Sequence, residues 1–245
     1  MTVNDSKFSC VVCGKMLHET AGETLQCTYC GQREKSDFTC ENNHYVCEPC
    51  RICTPTEIIH KTCLACPLDD PLSLANLLMH HPAFPMFGPE HHLLVPAILL
   101  TVAHNAGHEV ALDSLLRRSM KRAARFGLGS CASMGVCGAA VGVAIAVSLL
   151  IGADYTKPKE RKTVLQASAS ALTAMTSLPA PRCCKASVYS SLSVGTAYLR
   201  REMGLSIPSF SCPTCQFQEH NAECMRNECP FFEPSSCGSS EGSRQ

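Results

Sequence analysis

The distribution of cysteine constrains this chain more than any other feature. Of 19 cysteines, ten lie between Cys10 and Cys66 and none between there and Cys131. Four more run from Cys131 to Cys184, and five from Cys212 to Cys237. Thiols this dense in short stretches are bridged, ligated or reactive. The opening residues, MTVNDSKFSC, hold no apolar run of the kind a secretory signal needs. Disulfides are therefore not expected, and the expected compartment is the reducing cytoplasm. CxxC pairs in that setting point to metal.

Residues 1–69 read as a zinc-ribbon-like Cys/His metal-binding module. Cys10-Val-Val-Cys13-Gly and Cys27-Thr-Tyr-Cys30-Gly are two knuckles with thirteen residues between them. CxxC lets two thiolates approach one ion from a single tight turn, and the following Gly relieves the backbone there. Downstream lie Cys40, His44, Cys47, Cys50, Cys53, His60, Cys63 and Cys66. With the knuckles these make twelve candidate ligands, enough for three tetrahedral sites, or for two with spectators. The even spacing of Cys47, Cys50 and Cys53 also suits an iron–sulfur cluster. A structural zinc ion supplies roughly 10 kcal/mol of folding free energy, which a module with so little apolar core needs.

Residues 70–206 read as a helical core domain. Asp70 followed by Pro71 is a helix start, a capping side chain and then a residue with no N–H to lose. A second helix, about Pro89 to Ala106, is apolar at its centre, and Pro96 is expected to kink it. Glu90, His91 and His92 fall in its first turn and are candidates to orient or protonate a substrate. Glu109 to Phe126 has helical periodicity, with Leu115, Leu116 and Met120 facing inward and Arg117, Arg118 and Lys121 on a solvated face.

Gly127 to Ala153 carries no charged residue. Ser133 is the expected N-cap of its helix, which puts Cys137 in the first turn and Cys131 in the loop before it. Unsatisfied N–H groups and the dipole at a helix start favour a thiolate. Gly138 and Gly142 predict close packing against another helix. The stretch reads as a buried core helix, with a membrane span as the alternative. Its basic flanks, KRAAR and KPKERK, set no orientation. Gly127-Leu-Gly129-Ser-Cys131-Ala132 matches a dinucleotide fingerprint by letter, but it follows a basic helix where a strand is required.

A helix over 159–178 follows, and then another that opens at Arg182-Cys183-Cys184-Lys185. Thiols again stand at a helix start beside basic residues. Adjacent cysteines rarely bridge each other because the ring is strained, so the two side chains are expected to point to different places. Residues 207–233 form a Cys-rich tail expected to pack on the core. Cys212, Cys215, Cys224 and Cys229 are a four-thiolate metal set. Residues 234–245 read as disordered, with Cys237 free.

Lys+Arg and Asp+Glu are both 21, aromatic residues make up 6% and Trp is absent. A basic footprint and stacking platforms for nucleic acid are thus both missing. No P-loop and no Ser/His/Asp arrangement stands out.

FGPEHHLLVPAILL, GSCASMGVCGAAVGVAIA, PRCCK and the tail ending in ECPF together resemble a Cys-rich family of unknown function from anaerobic archaea and bacteria. Its members occur alone or behind methyltransferase-like domains. NHYVCEPC looks like that family's GHYVC-type motif, with Asn43 where Gly is expected. The resemblance covers most of the chain from about Cys40 onward and implies no particular activity. The GSCASMGVCGAA segment is also similar to small C-GCAxxG-C-C redox proteins, which implies a cysteine-held metal or redox centre.

The expected protein is mainly α: a helical core domain with an N-terminal Cys-rich module and a C-terminal Cys-rich tail. One functional reading is a zinc or iron–sulfur protein of anaerobic metabolism. Its redox or sulfur/methyl-group chemistry would centre on Cys131, Cys137, Cys183 and Cys184 with Glu90, His91 and His92. The other is a non-catalytic zinc-stabilised module that docks a partner enzyme, such as a methyltransferase or a redox protein.

Overall fold

The fold comes from a computed structural model that describes residues 9–178, 183–210 and 213–232. Cys212, Cys237 and the segment 234–245 lie outside them. The architecture is mainly helical with one two-stranded sheet. The antiparallel hairpin is β1 (Leu17–Gln26) and β2 (Arg33–Cys40). Register is kept from Leu17↔Cys40 to Glu19↔Phe38 and resumes at Glu23↔Ser36. The extra residues between form a bulge, closed by Gly22 at φ +71°.

Helices follow in the order α1 (Glu48–Arg51), α2 (Pro55–Ala65), α3 (Pro71–Met79), α4 (Glu90–Asn105), α5 (Leu112–Ala123), α6 (Ser130–Ser133), α7 (Gly138–Leu150), α8 (Pro158–Met175) and α9 (Cys184–Met203). Their starts follow from local chemistry. Thr54 and Glu57 form a reciprocal capping box on α2. The Asp70 carboxylate accepts from the N–H groups of Leu72 and Ser73, and Pro71 takes the first position of α3. Gly204, at φ +67°, ends α9 in the left-handed conformation that favours glycine.

The centre of the fold is α4. Thirteen consecutive residues, His91 to Ala103, are buried, so this helix is apolar all round and has neighbours on every side. It packs against α7, α5, α2, α9 and α3. Two of these contacts depend on glycine. A Cβ on Gly142 of α7 would come within 2.8 Å of Pro96 Cδ and 3.0 Å of Val95 Cβ. A Cβ on Gly195 of α9 would meet Leu99 Cδ1 at 2.6 Å. The expected close packing through Gly138 and Gly142 is therefore found, with α4 as the partner. Pro96 sits inside a helix that continues through it.

Hydrogen bonds pin the periphery. Tyr189 of α9 donates to Asn76 Oδ1 of α3 at 2.7 Å, and Arg122 of α5 to Ser148 Oγ of α7 at 3.0 Å. Asn105 Nδ2 reaches the carbonyls of Cys66 and Leu68, which fixes the segment after α2. The N-terminal module joins the same core. Tyr29 and His81 meet edge to face at 4.9 Å, and His81 Nε2 donates to the Cys50 carbonyl at 2.8 Å.

One boundary differs from expectation. The apolar stretch is broken: α6 is one short turn ending at Ser133, and Cys137, not Ser133, is the N-cap of α7. Gly135 at φ +64° makes the break, a conformation open to glycine and strained for other residues. No helix among the described residues is long and apolar enough to cross a membrane.

Close packing at Gly142 predicts a specific sensitivity. Gly142→Val forces a branched side chain against Pro96 and Val95 and should cost about 1–3 kcal/mol. At roughly 2–4 °C per kcal/mol for a chain of this size, the thermal midpoint falls by roughly 2–12 °C. Gly127→Ala, with nothing within 4 Å of the added carbon, should leave the midpoint within about 1 °C. Circular dichroism melts at constant metal content measure both.

Candidate metal centres and a thiol–imidazole cavity

Both knuckles adopt the same turn. Gly14 N–H bonds to the Cys10 carbonyl at 2.8 Å and Gly31 N–H to the Cys27 carbonyl at 2.9 Å. Both glycines have φ near +70°, which is why glycine follows the second cysteine in each. The hairpin separates the knuckles: β1 starts after the first, and the second forms the connection between the strands.

Each knuckle is completed by a later pair of residues. Cys10 and Cys13 stand with Cys40 and His44, and Cys27 and Cys30 stand with Cys47 and Cys50. Within each set the ligand atoms lie within 4.8 Å of one another. Cys13 and Cys40 sulfurs are 3.7 Å apart, Cys30 and Cys47 sulfurs 3.6 Å, and Cys10 Sγ is 3.8 Å from His44 Nδ1. A zinc–sulfur bond of about 2.3 Å sets two thiolates of a tetrahedron about 3.8 Å apart. Both sets fit one ion each. The grouping interleaves along the chain, first pair with third and second with fourth, whereas in a simple ribbon two knuckles share one ion. Spacing cannot reveal this, because it depends on where the hairpin delivers Cys40.

Backbone donors support the thiolates. Burial raises the pKa of Cys27, but N–H groups of Cys30, Cys47 and Tyr29 outweigh it and the net shift is downward. Burial of Cys40 is likewise outweighed by the N–H groups of His44 and Asn42. Burial pushes Cys10 and Cys47 up to about 11, so their protons would leave on metal binding.

Four other sequence candidates join neither set. Cys53 Sγ donates to the Cys50 carbonyl at 2.9 Å. His60 Nε2 lies 2.8 Å from Asp113 Oδ1. Cys63 is buried in α2 beneath α4, where burial pushes its thiol up to about 12. Cys66 caps the C-terminus of α2. The helix that Thr54 caps carries Cys63 into the core and leaves His60 half-buried beside Asp113.

A second cluster stands in the helical domain. Cys131, Cys137, Cys184, His91 and His92 line one cavity of about 480 Å³, and Cys183 also reaches its wall. These residues come from α4, from the α6–α7 break and from the start of α9. The close approach of α7 assembles them: a Cβ on Gly138 would strike the His92 ring at 2.4 Å, so only glycine next to the Cys137 cap allows that imidazole its place. Glu90 does not line the cavity; it folds back toward Gly88.

The imidazoles are oriented by backbone carbonyls. His91 Nδ1 donates to Gly88 O at 3.0 Å and His92 Nδ1 to Phe126 O at 2.9 Å. A carbonyl only accepts, so Nδ1 carries a proton on each ring. His91 is fully buried and its Nε2 has no hydrogen-bond partner among the described residues. Burial, with Lys185 nearby, holds its pKa down to about 3. The ring is neutral and suited to accept a hydrogen bond or bind a metal, not to deliver a proton. Cys184 accepts from the Gly88 N–H, although burial raises its pKa overall. Among the described residues no three donor atoms here close within the single-ion range seen in the N-terminal module.

The tail contributes Cys215, Cys224 and Cys229 near Cys183 and Lys185. Lys185 was not a sequence candidate. It is 1% exposed, donates to the Pro85 carbonyl at 3.1 Å and lies over the rings of Phe84 and Phe217. A charged side chain directly after two cysteines was the available signal.

Fold and sites together define a cysteine-rich, mainly helical protein whose N-terminal module is competent to hold metal. The chain belongs to the family of unknown function DUF5714, which matches residues 59–232. No curated protein and no solved structure matches it. The match begins inside α2, so the Cys40–Cys53 segment and both N-terminal ligand sets lie outside it. The cavity and the tail lie within.

The interleaved grouping is tested by paired substitutions. Cys10→Ala with Cys40→Ala should remove one ion, no more than either alone, because both serve one site. Cys10→Ala with Cys27→Ala should remove two. Native mass spectrometry of the full chain counts them; a ribbon with both knuckles on one ion reverses the two results.

Proposed function

We propose that this chain is a cysteine-ligated metal protein in which the N-terminal ions are structural and the cavity of the helical domain carries the chemistry. One observation supports the second part above all. Four thiols and two imidazoles, from separate stretches of chain, converge on one cavity, and one of those imidazoles, the buried His91, has an Nε2 with no hydrogen-bond partner among the described residues. An unpaired buried polar atom is costly, and it is retained where a ligand satisfies it.

The two kinds of site differ in what they fit. The N-terminal sets are closed, compact and complete with four ligands, as structural zinc sites are. The cavity is wider and mixed in ligand type, which suits a group larger than a bare ion: an iron–sulfur cluster or a small thiol-reactive substrate. A cluster would supply electron transfer when bound, with Cys131, Cys137, Cys184 and His91 as the residues able to hold it. The His92 ring, wedged between Gly138 and the Phe126 carbonyl, would orient whatever enters. Redox or sulfur/methyl-group chemistry in an anaerobic metabolism accords with this donor set and with the family resemblance.

A second reading has its own observation. Met16, Phe38 and Ile52 of the N-terminal module are 55%, 44% and 73% exposed. Exposed apolar side chains of this kind favour docking to a partner enzyme, such as a methyltransferase or a redox protein.

The test is anaerobic purification followed by metal analysis and a visible spectrum on one sample. Iron with acid-labile sulfide and a broad absorption in the visible, lost in Cys137→Ser and Cys184→Ser while zinc is kept, is the expected result. Zinc alone, with cavity thiols that show no redox chemistry in either variant, would overturn the cavity reading and favour docking.

A further inference from the structure

A second, much smaller cavity lies on the other side of the α9 start. Its volume is about 20 Å³, room for one water molecule or one ion. Four thiols line it, Cys183, Cys215, Cys224 and Cys229, together with Lys185 and Asn221. Cys183 caps α9 by accepting from the Ala186 N–H, and Asn221 Nδ2 lies 3.9 Å from its sulfur. Cys215 accepts from the Phe217 N–H at 3.4 Å.

The buried cation makes this more than a cluster of thiols. Lys185 is 1% exposed, and although Glu223 also lines this cavity, none of the ion pairs seen among the described residues includes Lys185. Its electrostatic neighbours are Cys183, Cys184 and Cys215. A buried ammonium is expensive unless a negative charge stands beside it. Neutral thiols supply none. A divalent ion held by four thiolates is doubly negative, and would supply it at the right place.

We infer that Cys183, Cys215, Cys224 and Cys229 bind one divalent, thiophilic metal ion of the zinc class, with Lys185 as the buried counter-charge. Binding replaces four S–H bonds with four metal–sulfur bonds and releases four protons to solvent. The ion staples the tail to the first residue before α9. Three consecutive residues then have three tasks: Cys183 faces the tail ion, Cys184 faces the thiols of the large cavity, and Lys185 balances the charge. The sulfurs stand further apart here than in the N-terminal sets, so binding draws the tail inward. This goes beyond the reading of the large cavity, and Cys215 and Cys229 play no part in that reading, so the two can fail separately.

The full chain, loaded with zinc and freed of excess, tests it. Cys215→Ser and Cys183→Ser should each hold one ion fewer than the unsubstituted protein by native mass spectrometry, while Cys212→Ser holds the full number. Lys185→Met should lose that same ion to a competing chelator at about tenfold lower chelator concentration, with the N-terminal ions unaffected. Alkylation mapping of the unsubstituted protein needs no variant to fold. Cys183, Cys215, Cys224 and Cys229 should be protected with zinc and labelled after its removal. Equal labelling of the tail thiols with and without zinc, or loss of the ion in Cys212→Ser but not in Cys183→Ser, would overturn the assignment.

Discussion

The burial of α4 on all sides is the constraint on which the rest depends. A helix this apolar gains stability only if neighbours approach it closely everywhere, and two of them, α7 and α9, do so through glycine against Pro96 and Leu99. Burial also carries the polar first turn of α4 into the interior. His91 and His92 meet that cost by donating from Nδ1 to the carbonyls of Gly88 and Phe126. The same bonds fix the orientation of each ring. One packing requirement thus yields both the fold and a pair of imidazoles held by backbone carbonyls. Because Gly138 touches the His92 ring, it also sets Cys137 beside them.

The N-terminal module is tied into this arrangement more tightly than its composition implies. Tyr29, in the second knuckle, reaches the Leu77 carbonyl, and His81 donates to the carbonyl of the ligand Cys50. His81 therefore carries its proton on Nε2, the opposite tautomer to His91 and His92, since Nδ1 accepts from the Ala83 N–H. An ion held by the second set would order Cys47 and Cys50, and with Cys50 the carbonyl that His81 bonds just after α3. Among the described residues no hydrogen bond runs from the first set to the helical domain, although Val11 and Val12 of that knuckle pack against the core. Loss of either ion would be felt unequally by the helical domain.

Much of this was legible in the sequence, and the limits have a physical cause. Local chemistry identified the caps at Asp70, the glycine approach at Gly138 and Gly142, the inward face of α5, and the CxxCG turns. Cys131, Cys137, Cys183 and Cys184 were expected to gather with the two histidines because they stand at Gly-rich or basic helix starts; all six line the large cavity, while Glu90, grouped with them, turns toward Gly88. What spacing could not show is which turn meets which. The pairing of Cys10 with Cys40, not Cys27, is decided by a hairpin whose bulge sits at Gly22. Cys53, Cys63 and Cys66 look like ligands by count, yet Cys53 bonds back to the Cys50 carbonyl, and the helix that Thr54 caps carries Cys63 into the core and ends at Cys66. Cys137 became a cap because Gly135 adopts a positive φ, a choice that composition alone does not reveal.

Adjacent cysteines show how a chain separates two chemistries at one point. Consecutive residues at the start of a helix diverge by about 100° around its axis. Cys183, the extended cap, and Cys184, the first helical residue, both reach the wall of the large cavity, and Cys183 alone also lines the small one. Cys184 has Cys137, Cys131 and Lys185 as electrostatic neighbours, and Cys183 has Cys215, Cys229 and Cys184. Placing Lys185 next in line sets one positive charge within reach of both groups. Such a charge lowers the cost of thiolate on either side, so the ionisation of the two groups is coupled through one side chain. The DUF5714 match takes in the start of α9 and the thiols on both sides of it, and stops short of the two N-terminal sets that could each hold an ion.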